Sequence, residues 1–454
     1  MAFSNISNLN LGDFLQIAYS EGIRNQLSED YADWEMIQQV REGDPNGRQL
    51  NFLFQSSLGP AAVQYRNPNF STNFPTAQQI SSSEHTAVYK ELETTVEIEY
   101  SLWKRAEMSP AKYAAPLAVE MQSKNISAKR RIAADVYGDG TGVVGRVSTA
   151  TDTTGAGGSV LVALNTGNTF SGFVGLAEEH DLLLAFEADA TPATAPTVVG
   201  TFYAWRVKDK DRVADTVTLE AIDASGAVLS LTASNLASTD YFYRVGQPSI
   251  PNRTSIADYG TASEVMAGLE SLASADGRVI HGITMSGSSK ATVKNGGNVQ
   301  FDISMIQSVM DLAKVRAGAG VYKWKKLVTA PEAVSVLIDS RETDRRFNSM
   351  EDATRGTRVF TYQHGNDAIQ LQSSEFCPKN RAYILPENKS SKGKVLEFHS
   401  SDFSAVKMGG MGEFHLKPSA SGGHERKVVS YMQAIQTLIC KHPAAIARIE
   451  NFTV

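Results

Sequence analysis

Apolar side chains recur with a helical period in the region from residue 109 to residue 145. The recurring residues are Leu117 and Met121, then Ala128, Ile132 and Val136. Pro110 is suited to a first helical turn and Gly138 to a stop. We therefore predict one amphipathic helix from Pro110 to Val136, in which Pro116 either kinks the helix or marks the start of its regular part.

A period of two appears upstream of this helix. From Val96 to Leu102 apolar residues alternate with polar ones, which predicts a half-exposed strand. Residues 50–54 predict a matching earlier strand. Between the two lie prolines, polar residues and the aromatic residues Tyr65, Phe70 and Phe74. A two-stranded ribbon of this composition is only marginally stable alone, so it needs a partner surface, and a second copy of the chain can supply it.

The remaining segments divide by pattern. Residues 1–48 hold eight carboxylates against three arginines, with Trp34 on a short helical pattern, and are typical of an arm laid against another surface. Residues 146–250 carry short strand-like runs between turn residues, which predicts a small inserted sandwich or barrel. Residues 253–395 mix helices, one around Leu269 and one opened by Pro331, with strands of a small sheet. The tail predicts a long strand with a turn near Pro443.

Composition excludes several classes of protein. The net charge of −6 argues against general nucleic-acid binding as the main task, because phosphate affinity comes mostly from Lys and Arg. Two distant cysteines indicate a reducing compartment without a disulfide framework. The first 25 residues lack the apolar run of a signal peptide, and no run is long enough to span a membrane. We expect a soluble protein made in the cytoplasm.

No catalytic constellation is apparent. Residues 140–145 fit GxGxxG, but a helix precedes them and strand-like sequence follows, so a turn is favoured over a nucleotide site. The eight histidines lack metal-ligand spacing, and neither a nucleophile elbow nor a phosphate loop occurs. Alternating glutamates from Glu91 to Glu99 are typical of a solvated strand face. A mixed-charge cluster is better suited to ion pairs between subunits: Arg341, Asp344, Arg345 and Arg346. We expect no enzyme, cofactor or metal.

The order of these parts resembles the major capsid protein of tailed bacteriophages, with the Hong Kong 97 fold. The ribbon is similar to the family's E-loop, and the helix that ends in VYGDGTG is similar to its spine helix. Residues 258–275, 364–388 and 395–399 resemble segments of its axial domain, and the sequence from Val428 to Phe452 resembles the closing strand of its peripheral domain. The resemblance covers most of the chain except residues 146–250.

The resemblance implies an α+β, Hong Kong 97-like fold with an inserted all-β domain. The implied parts are an arm at 1–48, the E-loop ribbon and start of the peripheral domain at 49–108, the spine helix at 109–145, the inserted domain at 146–252, an axial α/β domain at 253–395, and a return to the peripheral domain at 396–454. Candidate contacts between subunits are Trp34, Tyr65, Phe70, Phe74 and the four residues of the mixed-charge cluster.

The implied function is that of a major head protein in the virion. Copies of the chain would form hexamers and pentamers of an icosahedral shell around double-stranded DNA, assembled in the host cytoplasm. Because the arm begins almost at Met1, the scaffolding protein is expected to be separate, and a portal and decoration proteins are further partners. Two alternatives stay open: an encapsulin-type nanocompartment shell, and a monomeric enzyme or carbohydrate-binding protein that uses the β insertion.

Overall fold

The computed structural model describes most of the chain, in segments. These are residues 38–40, 49–57, 81–101, 104, 116–155, 157–164, 176–187, 191–246, 258, 265–317, 324–339, 361–364, 367–386, 395–400, 404–405, 415–418 and 424–454.

Strands predominate over helices in these segments. In chain order the strands are β1 (Gln38–Val40), β2 (Gln49–Ser57), β3 (Ser81–Val88), β4 (Lys90–Glu99), β5 (Val143–Thr153), β6 (Ser159–Leu164), β7 (Leu182–Phe186), β8 (Thr197–Val199), β9 (Ala204–Asp211), β10 (Thr216–Ile222), β11 (Ser230–Ala233), β12 (Tyr241–Arg244), β13 (Val279–Ile280), β14 (Ile283–Thr284), β15 (Thr292–Asn295), β16 (Trp324–Thr329), β17 (Thr361–His364), β18 (Asp367–Ser373), β19 (Arg381–Pro386), β20 (Leu396–Ser400), β21 (Ser404–Ala405), β22 (His415–Pro418), β23 (His424–Cys440) and β24 (Ala447–Glu450). The α-helices are α1 (Pro116–Val136), α2 (Leu269–Leu272), α3 (Ile303–Ala317) and α4 (Pro331–Asp339).

The longest strand, β23, has 17 residues and is the centre of the first sheet. Strand β4 pairs antiparallel with it from Lys427↔Glu99 to Gln436↔Lys90. Strands β20, β21 and β22 also pair antiparallel with β23, and β1 adds to β20 in parallel. The predicted long terminal strand is confirmed. The strand predicted up to Leu102 instead ends at Glu99, and residues 100 and 101 are helical.

Helix α1 begins at Pro116, as the ring of a proline favours at a first turn. Ala128, Ile132 and Val136 are all buried, so the predicted apolar stripe is confirmed for these three side chains. Ser127 and Lys129 on the other side are exposed. The side chains of Leu117 and Met121, and residues 105–115, lie outside the described part of the chain.

Six strands between residues 143 and 244 close into a barrel in the order β10-β6-β5-β12-β7-β9. Apolar side chains alternate inward along its strands and fill it, and the fully buried ones include Val160, Val162, Trp205, Val207 and Leu219. The chain enters through β5 and leaves through β12, and these strands pair with each other from Tyr241↔Arg146 to Tyr243↔Val143. The entry and exit of the barrel are therefore adjacent, as an insertion requires.

A second six-stranded sheet has the order β15-β24-β19-β16-β18-β17, with α3 and α4 beside it. The last strand of the chain, β24, belongs to this sheet, although β23 belongs to the first. A short 3-10 turn at Pro443–Ala445 separates the two strands. The helix predicted around Leu269 is confirmed only over the four residues of α2, while the helix opened by Pro331 is confirmed over nine.

Candidate assembly surfaces

The residues that the sequence marks as subunit contacts all lie outside the described part of the chain. They are Trp34, Tyr65, Phe70, Phe74, Arg341, Asp344, Arg345 and Arg346. Their role as contacts therefore stays a prediction. The structure does describe elements that flank most of them in sequence: the strands β2 and β3 on each side of residues 58–80, and the helix α4 that precedes residue 341.

The ribbon is held firmly at its root. Strands β2 and β3 pair antiparallel from Gln49↔Val88 to Ser57↔Ser81 and form a two-stranded sheet of their own. Phe52 and Phe54 are buried, and the ring of His85 lies against both, with centroid distances of 6.2 and 5.6 Å. These aromatic contacts hold β2 and β3 against each other.

A small hairpin of β13 and β14 packs against this part of the ribbon. Its two turn residues, His281 and Gly282, both have a positive φ, of 53° and 76°, which is the geometry of a type I′ turn. The Asp258 carboxylate accepts both of their backbone N–H groups, at 2.8 and 2.6 Å. The ring of His281 lies edge-on to Phe52 at 6.3 Å, and its Nε2 is 3.1 Å from the carbonyl oxygen of Leu438 in β23. One histidine thus joins the ribbon, the hairpin and the long strand.

Burial lowers the pKa of His281, and burial also lowers that of His442. Both rings therefore stay neutral in the folded chain at a pH where the unfolded chain takes up protons, below about 6.5. Because the unfolded state then binds more protons at these two side chains, we expect their contribution to the free energy of unfolding to fall as pH drops below about 6.5, by up to about 1.4 kcal/mol per pH unit for each histidine.

Chemical denaturation from pH 7.5 to 5 measures this slope. His281→Asn should flatten it, because asparagine tolerates a positive φ and can donate to the same carbonyl. His180→Asn is the matched control, since His180 also has a positive φ, of 70°, but is exposed. An equal effect of the two substitutions would contradict the assignment to His281.

A buried charged cluster around Glu270 joins α2 to the second sheet. The Glu270 carboxylate lies 3.3 Å from Nε of Arg381 and 3.0 Å from Nη1 of Arg448. It also accepts a hydrogen bond of 2.7 Å from the Tyr383 hydroxyl. Burial and the neighbouring carboxylate raise the pKa of Tyr383 well above its usual range, so the hydroxyl remains a donor. Arg448 makes a further ion pair with Glu450 at 2.7 Å.

The end of helix α1 positions α2 for this cluster. A Cβ on Gly268 would lie 2.5–2.6 Å from the carbonyl oxygens of Asp135, Val136 and Gly138, so only glycine fits there. The Ser271 hydroxyl donates a short hydrogen bond to the carbonyl of Asp139. Glu270, which lies between these two contacts, is thereby fixed where the arginines of the second sheet reach it.

The GxGxxG match is a turn. Gly140 and Gly142 have φ values of 81° and 78°, and the Asp139 carboxylate accepts the backbone N–H of Thr141 at 2.9 Å. The segment joins the C-terminal end of α1 to β5, so a helix precedes it and a strand follows it, which is the reverse of the dinucleotide fingerprint. A phosphate site at these residues is therefore unsupported.

Two further properties bear on the class of protein. Within the described segments, no group of three or more His, Cys, Asp or Glu side chains is placed to hold a metal ion. Among the helices that the structure describes, none is long and apolar enough to cross a membrane.

Sequence reasoning missed the two sites that organise these contacts. The run VIHGIT carries a two-residue turn signal between apolar pairs, and reading it would have predicted the hairpin that holds the ribbon. Glu270 is the one charged residue in the apolar run MAGLESLAS, which marks it as a candidate for a buried ion pair. Its partners lie more than 100 residues away, and no local pattern indicates them.

Comparison with known proteins identifies the fold of the chain. No family model and no curated protein matches the chain. A solved structure, the capsid asymmetric unit of cyanophage A-1(L), matches with a TM-score of 0.51 at 11% identity, covering 99% of this chain and 100% of that one. The chain has a phage capsid fold. The resemblance drawn from the sequence is confirmed at that level.

Two further structures also match over more than nine tenths of each chain, with lower TM-scores. Mycobacterium phage Adephagia matches with a TM-score of 0.44 at 8% identity, over 99% of each chain. The holo-SrpI encapsulin complex from Synechococcus elongatus PCC 7942 matches with a TM-score of 0.40 at 8% identity, over 96% of this chain and 93% of that one.

Proposed function

We propose that this chain is a major capsid protein whose copies assemble into a closed shell. The observation that carries the proposal is the end-to-end match of the phage capsid fold to a capsid chain, with 99% and 100% of the two chains covered. A role as a structural protein rather than an enzyme follows from the same match. The finer expectations belong to this proposal: hexamers and pentamers, an icosahedral virion, DNA inside, and separate scaffolding, portal and decoration proteins.

The geometry of the ribbon supports self-assembly. Strands β2 and β3 bury Phe52 and Phe54 at the root, but they form no sheet with other described strands. An isolated two-stranded ribbon is marginally stable in water. A neighbouring copy offers a surface on which residues 58–80 can dock, and many such contacts in a closed assembly add through multivalency.

The arm supports the same proposal. Strand β1 pairs in parallel with β20, from Gln38↔Glu397 to Val40↔His399, at the edge of the first sheet. An arm that completes a sheet edge covers backbone groups that would otherwise be open to uncontrolled pairing between copies. Assembly can then proceed through defined contacts.

Replacing residues 61–80 by a short Gly-Ser linker tests the proposal. The substitution keeps β2 and β3, so the subunit should keep its fold and its thermal transition. The unmodified chain should form shells, whereas the linker variant should remain as monomers or open capsomers. Each docked aromatic side chain can contribute about 1.5–3 kcal/mol before ordering costs. Electron microscopy and light scattering measure the assembly.

A second variant separates chain length from side-chain docking. In it Tyr65, Phe70 and Phe74 are replaced by serine and the length is unchanged, and we expect the same loss of shells. Full shells from both variants would show that the ribbon does not join subunits. A wild-type chain that never assembles, alone or with a scaffold, would overturn the capsid proposal.

The nanocompartment alternative shares the shell but differs in content. Nucleic acid and protein recovered from purified shells distinguish the two, since an encapsulin-type shell holds an enzyme cargo and a capsid holds DNA.

A further inference from the structure

One hairpin of the barrel contacts the layer of the second sheet. Strands β9 and β10 pair along their length. Residues 211–216, which are the turn and the strand residue on each side of it, form the barrel hairpin. It lies against residues 374–380, the connection between β18 and β19, which is named here the axial loop.

The contact includes two ion pairs. The barrel supplies the basic residue of one pair and the acidic residue of the other. Arg212 of the barrel hairpin binds Glu332 in the first turn of α4, with Nε 2.6 Å from Oε1 and Nη2 3.3 Å from Oε2. Its guanidinium also donates to the carbonyls of Glu375 and Cys377. In return, Lys379 of the axial loop lies 2.8 Å from the Asp215 carboxylate. A bidentate arginine fork with extra carbonyl acceptors fixes orientation as well as distance.

Both sides of this contact are held in place beforehand. In the barrel hairpin, the Asp211 carboxylate accepts the backbone N–H groups of Val213 and Ala214, at 2.8 and 3.0 Å. In the axial loop, Phe376 and Cys377 are fully buried. Little conformational entropy is therefore lost when the two segments meet, and the contact is correspondingly rigid.

A second set of ion pairs attaches the barrel to α1. Arg130 of the helix lies 2.6 Å from the Glu178 carboxylate, which Lys210 also approaches at 3.3 Å. The same guanidinium is 4.0 Å from Glu375 of the axial loop. Helix, barrel and axial loop thus meet at one arginine.

These contacts exceed what an insertion needs to stay attached. The paired ends of β5 and β12 and the apolar core that the barrel shares with α1 already attach it. The ion pairs of Arg130 and Arg212 add oriented contacts with α1, with α4 and with the axial loop. The pairs are partly buried, so salt screens them less than surface pairs.

We propose that the barrel is a brace that holds the second sheet at a fixed angle to helix α1. Its effect on shell shape rests on the proposed capsid function, because a subunit that assembles with a fixed angle between its parts sets the curvature of the shell. The brace itself is a property of the single subunit.

The test compares Arg212→Ala with Arg206→Ala in the full-length chain. Arg206 is a matched control, because its ion pair with Glu220, at 2.7 Å, lies within the barrel. Hydrogen exchange of residues 374–380 and of α4 should become about tenfold faster in Arg212→Ala and stay unchanged in Arg206→Ala. Exchange of the buried barrel strands should stay unchanged in Arg212→Ala, because their fully buried side chains do not depend on the Arg212 contact.

Electron microscopy of assemblies gives the second readout. Arg212→Ala combined with Lys379→Ala should give shells of irregular size, whereas Arg206→Ala shells should match the wild type. Unchanged exchange in the axial loop would overturn the brace. Faster exchange with uniform shells would overturn its role in shell shape. A wild-type chain that forms no shells would count against the capsid function alone, since the exchange measurement still decides the brace.

Discussion

Glu270→Ala is expected to lower the free energy of unfolding by about 3–5 kcal/mol, since removing one partner of a buried ion pair leaves the other charge uncompensated. Here two guanidinium groups lose their shared carboxylate, and Arg381 is only 1% exposed. The Tyr383 hydroxyl loses its acceptor as well. A typical domain is stable by about 5–15 kcal/mol, so the loss is a large part of the total.

Two companions make this measurement specific. Glu270→Gln keeps an acceptor for the tyrosine and should cost less than alanine, because only the charge is lost. Glu91→Ala removes an exposed carboxylate from β4 and should change stability by less than about 0.5 kcal/mol. Urea denaturation of the three variants gives the comparison. A cost for Glu270→Ala near that of Glu91→Ala would mean that the cluster does not hold α2 on the second sheet.

Much of the fold could be predicted because its elements carry local signals. The apolar stripe through Ile132 predicts helix α1, the run of β-branched residues after residue 424 predicts β23, and Pro331 predicts the start of α4. Each signal lies within the element that it predicts, so a periodicity of two or 3.6 is enough to find it.

Closure of the barrel is a different kind of property. The sequence predicts short strands between residues 146 and 250, but sandwich and barrel share that pattern. What decides between them is the pairing of β5 with β12 and of β10 with β6, which join segments far apart in the chain. Those pairings depend on side chains that meet only in the folded state.

The contacts of the candidate site were the least predictable part. Glu270 binds arginines from β19 and β24, and Arg212 binds a glutamate 120 residues away. In one sequence such charges look like ordinary solvated side chains, because burial and not residue type distinguishes them. The predicted contacts at Trp34 and in the ribbon rest on the opposite feature, large aromatic residues in segments that cannot bury them alone.

Ile132→Asp is expected to be the most disruptive single change in α1. Ile132 is buried in the main core, which includes Tyr137 and Leu438 from the turn after the helix and from β23. Aspartate there loses the packing of the isoleucine and places a carboxylate among apolar side chains. We expect a loss of several kcal/mol, seen as insoluble protein or as a broad transition at much lower temperature.

Ser127→Asp provides the matched control, because it adds the same charge to the same helix at an exposed position. Helix propensity and net charge change similarly in the two variants, so a difference between their thermal transitions reports burial alone. Wild-type solubility and melting in Ile132→Asp would mean that this face of α1 does not pack against the core. In that case α1, which holds the barrel through the ion pair of Arg130 with Glu178, would not itself be fixed to the core, and the barrel could not act as a brace.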